Sequence, residues 1–580
     1  MGTISDKLMR IINTKEDIRQ ALISKGYDVP TSIPFKEYAK MILDLPCKVD
    51  SFPDIEGIVA RYSASGLTNE QMAANPVWVD KTGNGQDLQM KNFAWGGMSG
   101  VGGYEMNFNL WTNNVPSIPD ISMSTTTTSV SVSVGNSTYN NNLIYIHMNN
   151  WDINKNHWLK VTSTYEDGDL VFKFYNDNNS KNIELPANGY VNIPAYPEFK
   201  GNYMYISITS NKQGSFTIEQ LPLYPGALVF GGVDDYGTCD NFPILTKEKG
   251  YTVVALRQWD QDFLNTTLTG GLLSTRNYST GEGVAFEKIE SSNKGYWNLG
   301  AGGIIDFAKS PFTWQTSKQY NNVGILKGDK NHGKPLCVGC GLSGGQQHGR
   351  FAIWELVFLD HDATEEELTK IKDYFVKTYP WLFPDQAWTV VGKTNEDEDR
   401  ATIANITGNG NNLVLSNFGF AEGSGYNEEG EYAGYLVTDG VDDKIISSIF
   451  KMGNDWTVIG DWELINTGKN DNAGIVKFDS IVIYNYNSML INIKNGRNIL
   501  IPDQNTVNAI CSDGRIYSKD WKESIYNEET ESTSKNFLTI GYSGNAYTKI
   551  AFKNLAIYPT VLSREDCIKA YNYLQTLKAK

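Results

Sequence analysis

The sequence contains an internal duplication, which fixes segments that must share one fold. Residues 82–95 and 407–420 are identical at seven of fourteen positions, and both copies begin Thr-Gly-Asn-Gly. A second block, Gly-Val-Asp-Asp, occurs at 232–235 and again at 440–443, and a Thr-Val strand start follows each copy. Blocks that recur in the same order predict two copies of one structural unit.

A third repeated block predicts a strand followed by a helix. The strands are expected at 353–358 and 552–557, and Thr364 and Ser563 are placed to N-cap the helices that follow. Apolar residues then recur at helical spacing and predict one buried face on each helix. The predicted stripes are Leu368, Ile371, Tyr374 and Phe375 in the first copy, and Ile568, Tyr571 and Leu574 in the second.

The two copies differ in one interval. Gly85 and Gly232 are 147 residues apart, whereas Gly410 and Gly440 are 30 apart. The extra length is that of a domain, and short alternating segments within it predict at least five strands. We therefore expect a discontinuous first β-sandwich over 57–115 and 223–383, an inserted jelly-roll-like β-sandwich over 116–222, and a second sandwich over 386–580.

The composition agrees with a mainly β chain. It holds 32 Tyr, 24 Phe and 14 Trp, which favour half-buried pleated surfaces, and 54 Gly, which favours the turns between short strands. Residues 1–50 differ from the rest. Ile18, Leu22, Phe35, Tyr38 and Ile42 fall at helical spacing and predict two short helices. Their apolar face is too small for an independent core, so we expect an assembly module, with a cap on the first sandwich as the alternative.

Charge and targeting signals narrow the possible partners. The formal net charge of −16 disfavours nucleic acid, because such a surface repels phosphate. No stretch approaches the length of a membrane helix, so no membrane partner is expected. The N-terminus lacks the apolar core of a signal peptide, which predicts folding in a cytoplasm. Cys337 and Cys340 are expected to be ordinary strand or turn cysteines, with a metal or redox pair as the alternative.

These blocks resemble known modules. The Gly-Val-Asp-Asp strand and the closing strand plus helix are similar to the concanavalin A-like/laminin-G superfamily. The segments 393–402 and 407–410 resemble modules of Bacteroides-type phage and prophage structural proteins. The pattern of residues 14–39 resembles N-terminal helical segments of phage tail and baseplate proteins. The superfamily resemblance implies an antiparallel sandwich of twelve to fourteen strands per copy, a fold that serves both glycan binders and glycosidases.

The sequence offers few candidate catalytic, metal-binding or sugar-binding residues. The Glu-x-Asp-x-x-Glu strand motif of the glycosidases of this superfamily is absent, so no catalytic residue is assigned. Asp234, Asp235, Asp442 and Asp443 are expected to cap turns, with calcium binding as the alternative and no other cofactor expected. Ligand-binding residues cannot be assigned, but the aromatic candidates for stacking on sugars are Trp111, Trp151, Trp158, Trp297 and Trp314.

The sequence therefore predicts a non-enzymatic structural and binding protein of a phage particle, assembled in the cytoplasm of the host bacterium. A tail fibre, a head fibre or a baseplate-associated protein would fit. The expected partners are other virion proteins, through the N-terminal helices, and host-surface glycan. A homo-oligomer is expected, and analogy to fibres favours a trimer. The alternatives are a bacterial cell-surface adhesin and a glycoside hydrolase.

Overall fold

The computed structural model divides the chain into two compact units, Met1–Asp54 and Ile55–Lys580. The predicted helical module over 1–50 lies outside the described residues except for Lys15. The structure describes Lys15, 52–106, 108–110, 112–113, 121–135, 143–144, 146–147, 151, 157–175, 180–193, 199, 203–208, 213–245, 249–264, 266–275, 285–288, 294–297, 304–306, 316–318, 336–342, 346–421, 423–430, 432–448, 450–451, 453–465, 473–478, 481–485, 489–493, 497–501, 507–518, 521–525, 535–536, 538–543 and 546–579.

Four strands and one short helix precede the predicted insertion. The helix α1 begins after Thr68, whose side chain accepts a hydrogen bond from the backbone N–H of Gln71 at 3.2 Å. In chain order the elements are β1 (Ile58–Ser63), α1 (Asn69–Ala74), β2 (Val77–Trp78), β3 (Leu88–Lys91) and β4 (Gly100–Val101).

The next segment forms a small sandwich of its own, the inserted domain. Alternating burial along strands such as Ser129–Val134 turns one face of each sheet toward a separate hydrophobic core. Its strands are β5 (Thr112–Asn113), β6 (Ile121–Thr125), β7 (Ser129–Val134), β8 (Leu143–Ile144), β9 (Ile146–His147), β10 (His157–Ser163), β11 (Leu170–Tyr175), β12 (Ser180–Leu185), β13 (Asn188–Ile193), β14 (Tyr203–Ile208) and β15 (Gly214–Gln220).

The inserted domain stacks a five-stranded sheet, in the order β13-β10-β15-β7-β6, on a four-stranded sheet, β12-β11-β14-β8. The prediction of at least five strands in this segment is confirmed. Its core begins earlier than the expected boundary at 116, because Met106 and Phe108 are buried in it. The side-chain carbonyl of Gln220 accepts a hydrogen bond from the backbone N–H of Met106 at 3.1 Å and so ties the two ends of the domain together.

The chain then returns to the first sandwich. The helix α3 carries a capping box, in which Thr364 and Glu367 satisfy each other's backbone N–H groups. The elements are β16 (Leu228–Gly231), β17 (Tyr236–Cys239), β18 (Thr252–Trp259), α2 (Gln261–Leu264), β19 (Gly270–Ser274), β20 (Ala285–Lys288), β21 (Lys294–Trp297), β22 (Ile304–Asp306), β23 (Thr316–Lys318), β24 (Leu336–Val338), β25 (Cys340–Leu342), β26 (Gln346–His348), β27 (Arg350–Leu359) and α3 (Glu365–Thr378).

Sandwich A, as we name this unit, takes strands from both sides of the inserted domain. Its front sheet has the order β23-β18-β27-β16-β4, with β1 also paired to β27. Its back sheet has the order β2-β3-β17-β24-β19-β20-β21-β22, and the β25-β26 hairpin attaches to it. The pairing of β1 with β27 and of β4 with β16 joins residues that lie more than 100 positions apart in the sequence.

The remaining residues form sandwich B. The helix α4 begins after Ser563, whose hydroxyl accepts from the backbone N–H of Asp566. The elements are β28 (Gln386–Thr389), β29 (Thr402–Ile403), β30 (Leu413–Ser416), β31 (Gly425–Asn427), β32 (Tyr435–Val437), β33 (Lys444–Ser447), β34 (Phe450–Lys451), β35 (Thr457–Leu464), β36 (Ala473–Phe478), β37 (Ile481–Asn485), β38 (Met489–Ile493), β39 (Arg497–Ile501), β40 (Val507–Cys511), β41 (Arg515–Ser518), β42 (Glu523–Ile525), β43 (Lys535–Asn536), β44 (Leu538–Ile540), β45 (Tyr542–Ser543), β46 (Ala546–Tyr547), β47 (Ile550–Tyr558) and α4 (Arg564–Leu574).

Sandwich B repeats the strand order of sandwich A. Its front sheet runs β31-β32-β47-β35-β40-β41-β42 with β28 also on β47, and its back sheet runs β29-β30-β33-β44-β36-β37-β38-β39. The repeated segments therefore occupy the same places, since β3 and β30 are each second from the edge of the back sheet. The inserted domain stands between β4 and β16, where sandwich B has only a short turn between β31 and β32.

Several expectations are confirmed and others need correction. The buried residues of α3 are the four predicted ones, and those of α4 include the three predicted ones. Among the described residues, the sheets of sandwich A have six and ten strands and those of sandwich B have eight each, more than the twelve to fourteen per copy that the superfamily resemblance implies. Cys337 and Cys340 lie on strands, as expected, in β24 and β25, but they are joined by a disulfide and are not ordinary free cysteines. Within the described ranges, no helix has the length and apolar character needed to cross a membrane.

A shared hydrophobic cluster joins the two sandwiches and reaches the inserted domain. It contains buried residues of both front sheets and most of the buried face of α4. The rings of Trp354 in sandwich A and Tyr573 in α4 have centroids 5.8 Å apart. The ring of Trp158 in the inserted domain lies 5.1 Å from that of Tyr571. The helix α4 is therefore the element against which all three β domains pack.

Candidate functional site

Each sandwich has a tip made of two loops that lie side by side. Tip A consists of residues 92–96 and 231–235, and tip B consists of residues 417–421 and 439–443. In tip A, the side-chain amide of Asn92 donates to the backbone carbonyl of Asp234 at 3.0 Å. In tip B, Asn417 donates to the carbonyl of Asp442, also at 3.0 Å. The same hydrogen bond thus holds the two loops of each tip together.

The first loop of each tip has two non-glycine residues in the left-handed region. These are Asn92 and Trp95 in tip A, with φ of 63° and 50°, and Asn417 and Phe420 in tip B, with φ of 69° and 50°. Asparagine tolerates this conformation, but an aromatic residue there is strained by about 1–3 kcal/mol. The strain is present at the same position of both copies.

The second loop of each tip exposes a valine. Val233 is 78% exposed and Val441 is 70% exposed, the two most exposed large hydrophobic residues of the described chain. The glycine before each valine has a structural reason, since Gly232 and Gly440 have φ of 76° and 77°. A Cβ on Gly232 would also lie 2.8 Å from the Cβ of Arg350. Neither backbone conformation nor packing requires a valine at the exposed position, yet both copies have one.

Aromatic rings pack against one another within each tip and on the strand beside it. In tip A, Phe93 stacks on Trp95 with centroids 4.6 Å apart and meets Phe230 edge-on at 5.1 Å. In tip B, Phe420 lies 6.0 Å from Phe418, and the guanidinium of Arg400 sits over the Phe420 ring at 5.1 Å. Trp95 and Phe420 are half-buried. Each tip therefore combines a partly exposed ring with an exposed aliphatic group.

The predicted aspartates cap the second loop. Asp235 accepts the backbone N–H of Gly231 at 2.5 Å, and Asp443 accepts that of Asp439 at 2.7 Å. Asp443 also accepts from the hydroxyl of Ser424 at 3.1 Å. These bonds confirm the predicted capping role for Asp235 and Asp443. Asp234 and Asp442 lie beside them in the same turns and use their backbone carbonyls to hold the first loop.

Tip B carries an extra carboxylate. Asp439, Asp442 and Asp443 each offer an oxygen atom, and these atoms lie within 4.8 Å of one another. Burial, together with the two neighbouring carboxylates, raises the pKa of Asp443 to about 6. One oxygen of Asp439 already accepts three backbone N–H groups, from Val441, Asp442 and Asp443. Sandwich A has Gly231 at the position of Asp439, so the cluster is not a common feature of the two tips.

The tryptophans proposed from sequence do not form a common surface. Trp151 is buried in the core of the inserted domain, where its ring lies 5.1 Å from that of Phe172. Trp158 packs on α4 at the junction of the domains. Trp297 lies on β21 in the back sheet of sandwich A. Trp111 and Trp314 lie outside the described residues.

Sequence reasoning missed the residues that complete the tips. Trp95 was not among the aromatic candidates, although it ends the repeated block 82–95. The signal that could have found it is the identity of Asn92-Phe93 with Asn417-Phe418 at the end of that block. The left-handed backbone that follows, and the exposure of Val233 and Val441, have no sequence signature of their own.

Sandwich A also contains a buried carboxylate, Glu355, which is bound by neighbouring side chains. Arg61 and Glu355 form an ion pair at 3.1 Å, with both side chains almost fully buried. The hydroxyl of Tyr379 donates to Glu355 at 2.8 Å, and Arg61 donates to the hydroxyl of Tyr374 at 2.8 Å. Burial raises the pKa of Glu355, while Arg61 opposes this effect. The group is enclosed by its partners and offers no access to a substrate.

The chain has distant structural likeness to known proteins. No family model and no curated protein sequence matches the chain. Among solved structures, a sialidase of Trypanosoma rangeli in complex with sialic acid is 9% identical, with a TM-score of 0.25, and the match covers 79% of this chain and 85% of that one. The binding domain of botulinum neurotoxin serotype D is 13% identical, with a TM-score of 0.23, covering 59% and 89%. Likeness at these TM-scores carries no inference about function.

Proposed function

We propose that this chain is a structural and binding component of a bacteriophage particle, such as a tail fibre, a head fibre or a baseplate-associated appendage. In this proposal the sandwiches face outward, toward host-surface glycan or toward other virion proteins. The observation that carries the binding role is the pair of matching tips, because both copies keep an exposed valine that the fold itself does not require.

The chemistry of a tip suits a sugar. The apolar face of a pyranose ring packs on aromatic and aliphatic groups, and its hydroxyls donate to carboxylates and carbonyls. Tip A offers the ring of Trp95 and the side chain of Val233 as the apolar part, and the exposed Asp234 as the acceptor. Tip B offers Phe420, Val441 and Asp442 in the same arrangement.

The tips are held by contacts that need no ligand. The Asn92 and Asn417 bonds join the two loops, and the Asp235 and Asp443 caps close the turns. A binding surface that is already ordered loses little conformational entropy when the ligand arrives. Two such tips on one chain would also allow bivalent attachment, which strengthens binding to a repetitive polymer.

The phage assignment rests on the sequence resemblances and on the segment 1–50. In the proposal this segment docks the chain to other virion proteins, and copies of the chain associate as a homo-oligomer, with a trimer as the expected form. The protein is assembled into particles in the cytoplasm of the host bacterium. The division of the chain at residue 54 is compatible with a separate attachment element.

Deletion of residues 1–50 tests this proposal. The β domains should melt at nearly the same temperature in the deleted and the full-length chain, because the deleted residues belong to a separate compact unit. Incorporation into particles, measured by immunoblot of density-purified particles from a phage-infected culture, should be lost. The matched control is full-length chain supplied from the same plasmid.

Three results would overturn the proposal. The first is a chain that fractionates with the cell envelope and never with particles, which would favour a bacterial adhesin. The second is release of reducing sugar from bacterial capsular polysaccharide that one Asp or Glu substitution abolishes, which would favour a hydrolase. The third is unfolding of sandwich A on deletion of residues 1–50, which would make that segment a structural cap.

A further inference from the structure

Two buried cysteines meet where α4 packs on the front sheet of sandwich B. Cys511 is the last residue of β40, and Cys567 lies in the first half of α4. Both side chains are fully buried in the cluster that joins the domains. The two side chains share this cluster, and a hydrogen bond from the thiol of Cys567 is the largest cause that lowers the pKa of the Cys511 thiol.

Hydrogen bonds fix the two cysteines in this arrangement. Cys511 pairs with Thr457 across β40 and β35. The hydroxyl of Thr457 donates to the backbone carbonyl of Thr560 at 2.9 Å and accepts the N–H of Leu562 at 2.9 Å. The chain then enters α4 at Ser563, and the N–H of Cys567 donates to the carbonyl of Ser563 at 2.8 Å. The start of the helix is therefore anchored beside Cys511.

Sandwich A shows that the fold does not require cysteine at either position. Thr252 anchors the start of α3 through the same pair of bonds, to the carbonyl of His361 and from the N–H of Ala363. The residue four positions after the N-cap Thr364, where sandwich B has Cys567, is Leu368. The residue paired with Thr252, where sandwich B has Cys511, is Lys318. The adjacent thiols are thus a feature of sandwich B alone.

We propose that Cys511 and Cys567 are a disulfide-forming pair that ties α4 to the front sheet of sandwich B when the protein meets a small-molecule disulfide such as oxidised glutathione. The thiolate of Cys511 attacks the small disulfide, forms a mixed disulfide and releases one glutathione thiolate. The thiolate of Cys567 then attacks the Cys511 sulfur and releases the second. The protein loses two protons and two electrons, and the oxidised glutathione is reduced to two thiols.

The surroundings favour Cys511 as the attacking group. The hydrogen bond from Cys567 and the positive charge of Arg515 together lower the pKa of the Cys511 thiol. Burial raises the pKa of Cys567 instead. Arg515 is held at the site by a bond to the carbonyl of Leu562 at 3.1 Å. Because both sulfur atoms are buried, exchange takes place when α4 opens, a state in which Arg515 stays near Cys511 on the paired strands β40 and β41.

The bond would act on the junction of the three β domains. Tyr571 and Tyr573 of α4 contact Trp158 of the inserted domain and Trp354 of sandwich A. Fixing α4 to sandwich B would therefore hold the surface on which the other two domains pack. This inference does not depend on the proposed phage function.

The test compares full-length protein produced in cells with an oxidising cytoplasm and in cells with a reducing one. Alkylation in denaturant followed by peptide mass mapping should find a peptide pair linked through Cys511 and Cys567 in the oxidised protein. The link should raise the Tm of the transition that includes sandwich B by about 5–15 °C, because it closes a long loop. Cys567→Ala should remove both the linked pair and the rise in Tm.

Cys239→Ser is the matched control. Cys239 is buried in sandwich A, and its thiol donates to the side-chain oxygen of Gln86 at 3.6 Å. This variant should keep the linked pair and the rise in Tm. Folded oxidised protein in which both Cys511 and Cys567 are alkylated would overturn the proposal. A linked pair that leaves the Tm unchanged would overturn the claim that it stabilises the junction. Either result leaves the proposed binding role untouched.

Discussion

Sandwich A and sandwich B have the same strand order but different polar interiors. At the position where sandwich A has the buried pair Arg61 and Glu355, the strand registers place Ala387 and Asn554 in sandwich B. The pair therefore is not needed to build the sandwich. What the two copies keep instead are the sheet order, the turn glycines and the tips. The two copies therefore agree more closely in their tips than in the buried polar residues beneath the front sheet.

A second shared feature is an asparagine side chain that holds the strand after the first tip loop. The side chain of Asn69 bonds both backbone groups of Val101, at 2.7 and 3.1 Å. The side chain of Asn395 bonds both backbone groups of Tyr426 in the same way, at 2.8 Å each. A Cβ on Gly100 or on Gly425 would lie 2.5 Å from the side-chain oxygen of that asparagine, which explains the glycine that starts each of these strands.

The largest expected loss of stability comes from breaking the buried ion pair of sandwich A. Arg61→Ala leaves the charge of Glu355 buried without its partner, so we expect a loss of about 3–5 kcal/mol in the free energy of unfolding, measured by urea denaturation. The double variant Arg61→Ala/Glu355→Asn copies sandwich B and should recover most of that loss. A double variant no more stable than the single one would show that the two interiors are not interchangeable.

A smaller effect, a pH dependence of stability caused by Asp443, should distinguish tip B from tip A. The pKa of Asp443 is raised from 3.8 to about 6 in the folded protein, so the folded state holds this proton more tightly than the unfolded state. The resulting stability is present below about pH 4 and is lost as the pH rises through about 6. We expect a loss of about 1–2 kcal/mol across this window, reduced by solvent screening at the tip.

Unfolding of wild type and of Asp443→Asn by urea at pH 4, 5, 6 and 7 measures this effect. The variant cannot titrate at this position and should lack the corresponding loss. Asp439→Gly, which copies Gly231 of tip A, removes one neighbouring carboxylate and should shift the loss to lower pH. Parallel pH curves for wild type and Asp443→Asn would show that Asp443 does not carry this dependence.

Much of the fold could be predicted from the sequence because it depends on periodic or local patterns. The duplication gave matching strands, and the hydroxyls of Thr364 and Ser563 gave the starts of α3 and α4. The capping role of Asp235 and Asp443 followed from turn chemistry. The tips could not be assembled in this way, because Asn92 and Asp234 lie 142 positions apart and meet only through the pairing of β3 with β17. The exposure of Val233 is likewise a property of the folded turn.

Replacing the two exposed valines should have the smallest effect on stability. The same variants test most directly whether the tips bind a ligand. Val233→Ser and Val441→Ser should each change the free energy of unfolding by less than about 0.5 kcal/mol, because neither side chain is packed in the fold. Val79→Ser and Val414→Ser are matched controls, since those valines are 48% and 50% exposed and lie outside the tips.

The deciding measurement is the binding of full-length protein to immobilised bacterial surface polysaccharides and to bacterial cells that carry them, with both tip valines replaced. We expect Val233→Ser/Val441→Ser to weaken binding at least about tenfold, with each single variant intermediate, because two linked tips act together. The control pair Val79→Ser/Val414→Ser should bind like wild type. Binding that is unchanged in the tip variant, or weakened equally in the control pair, would contradict the claim that the duplicated tips are the binding sites.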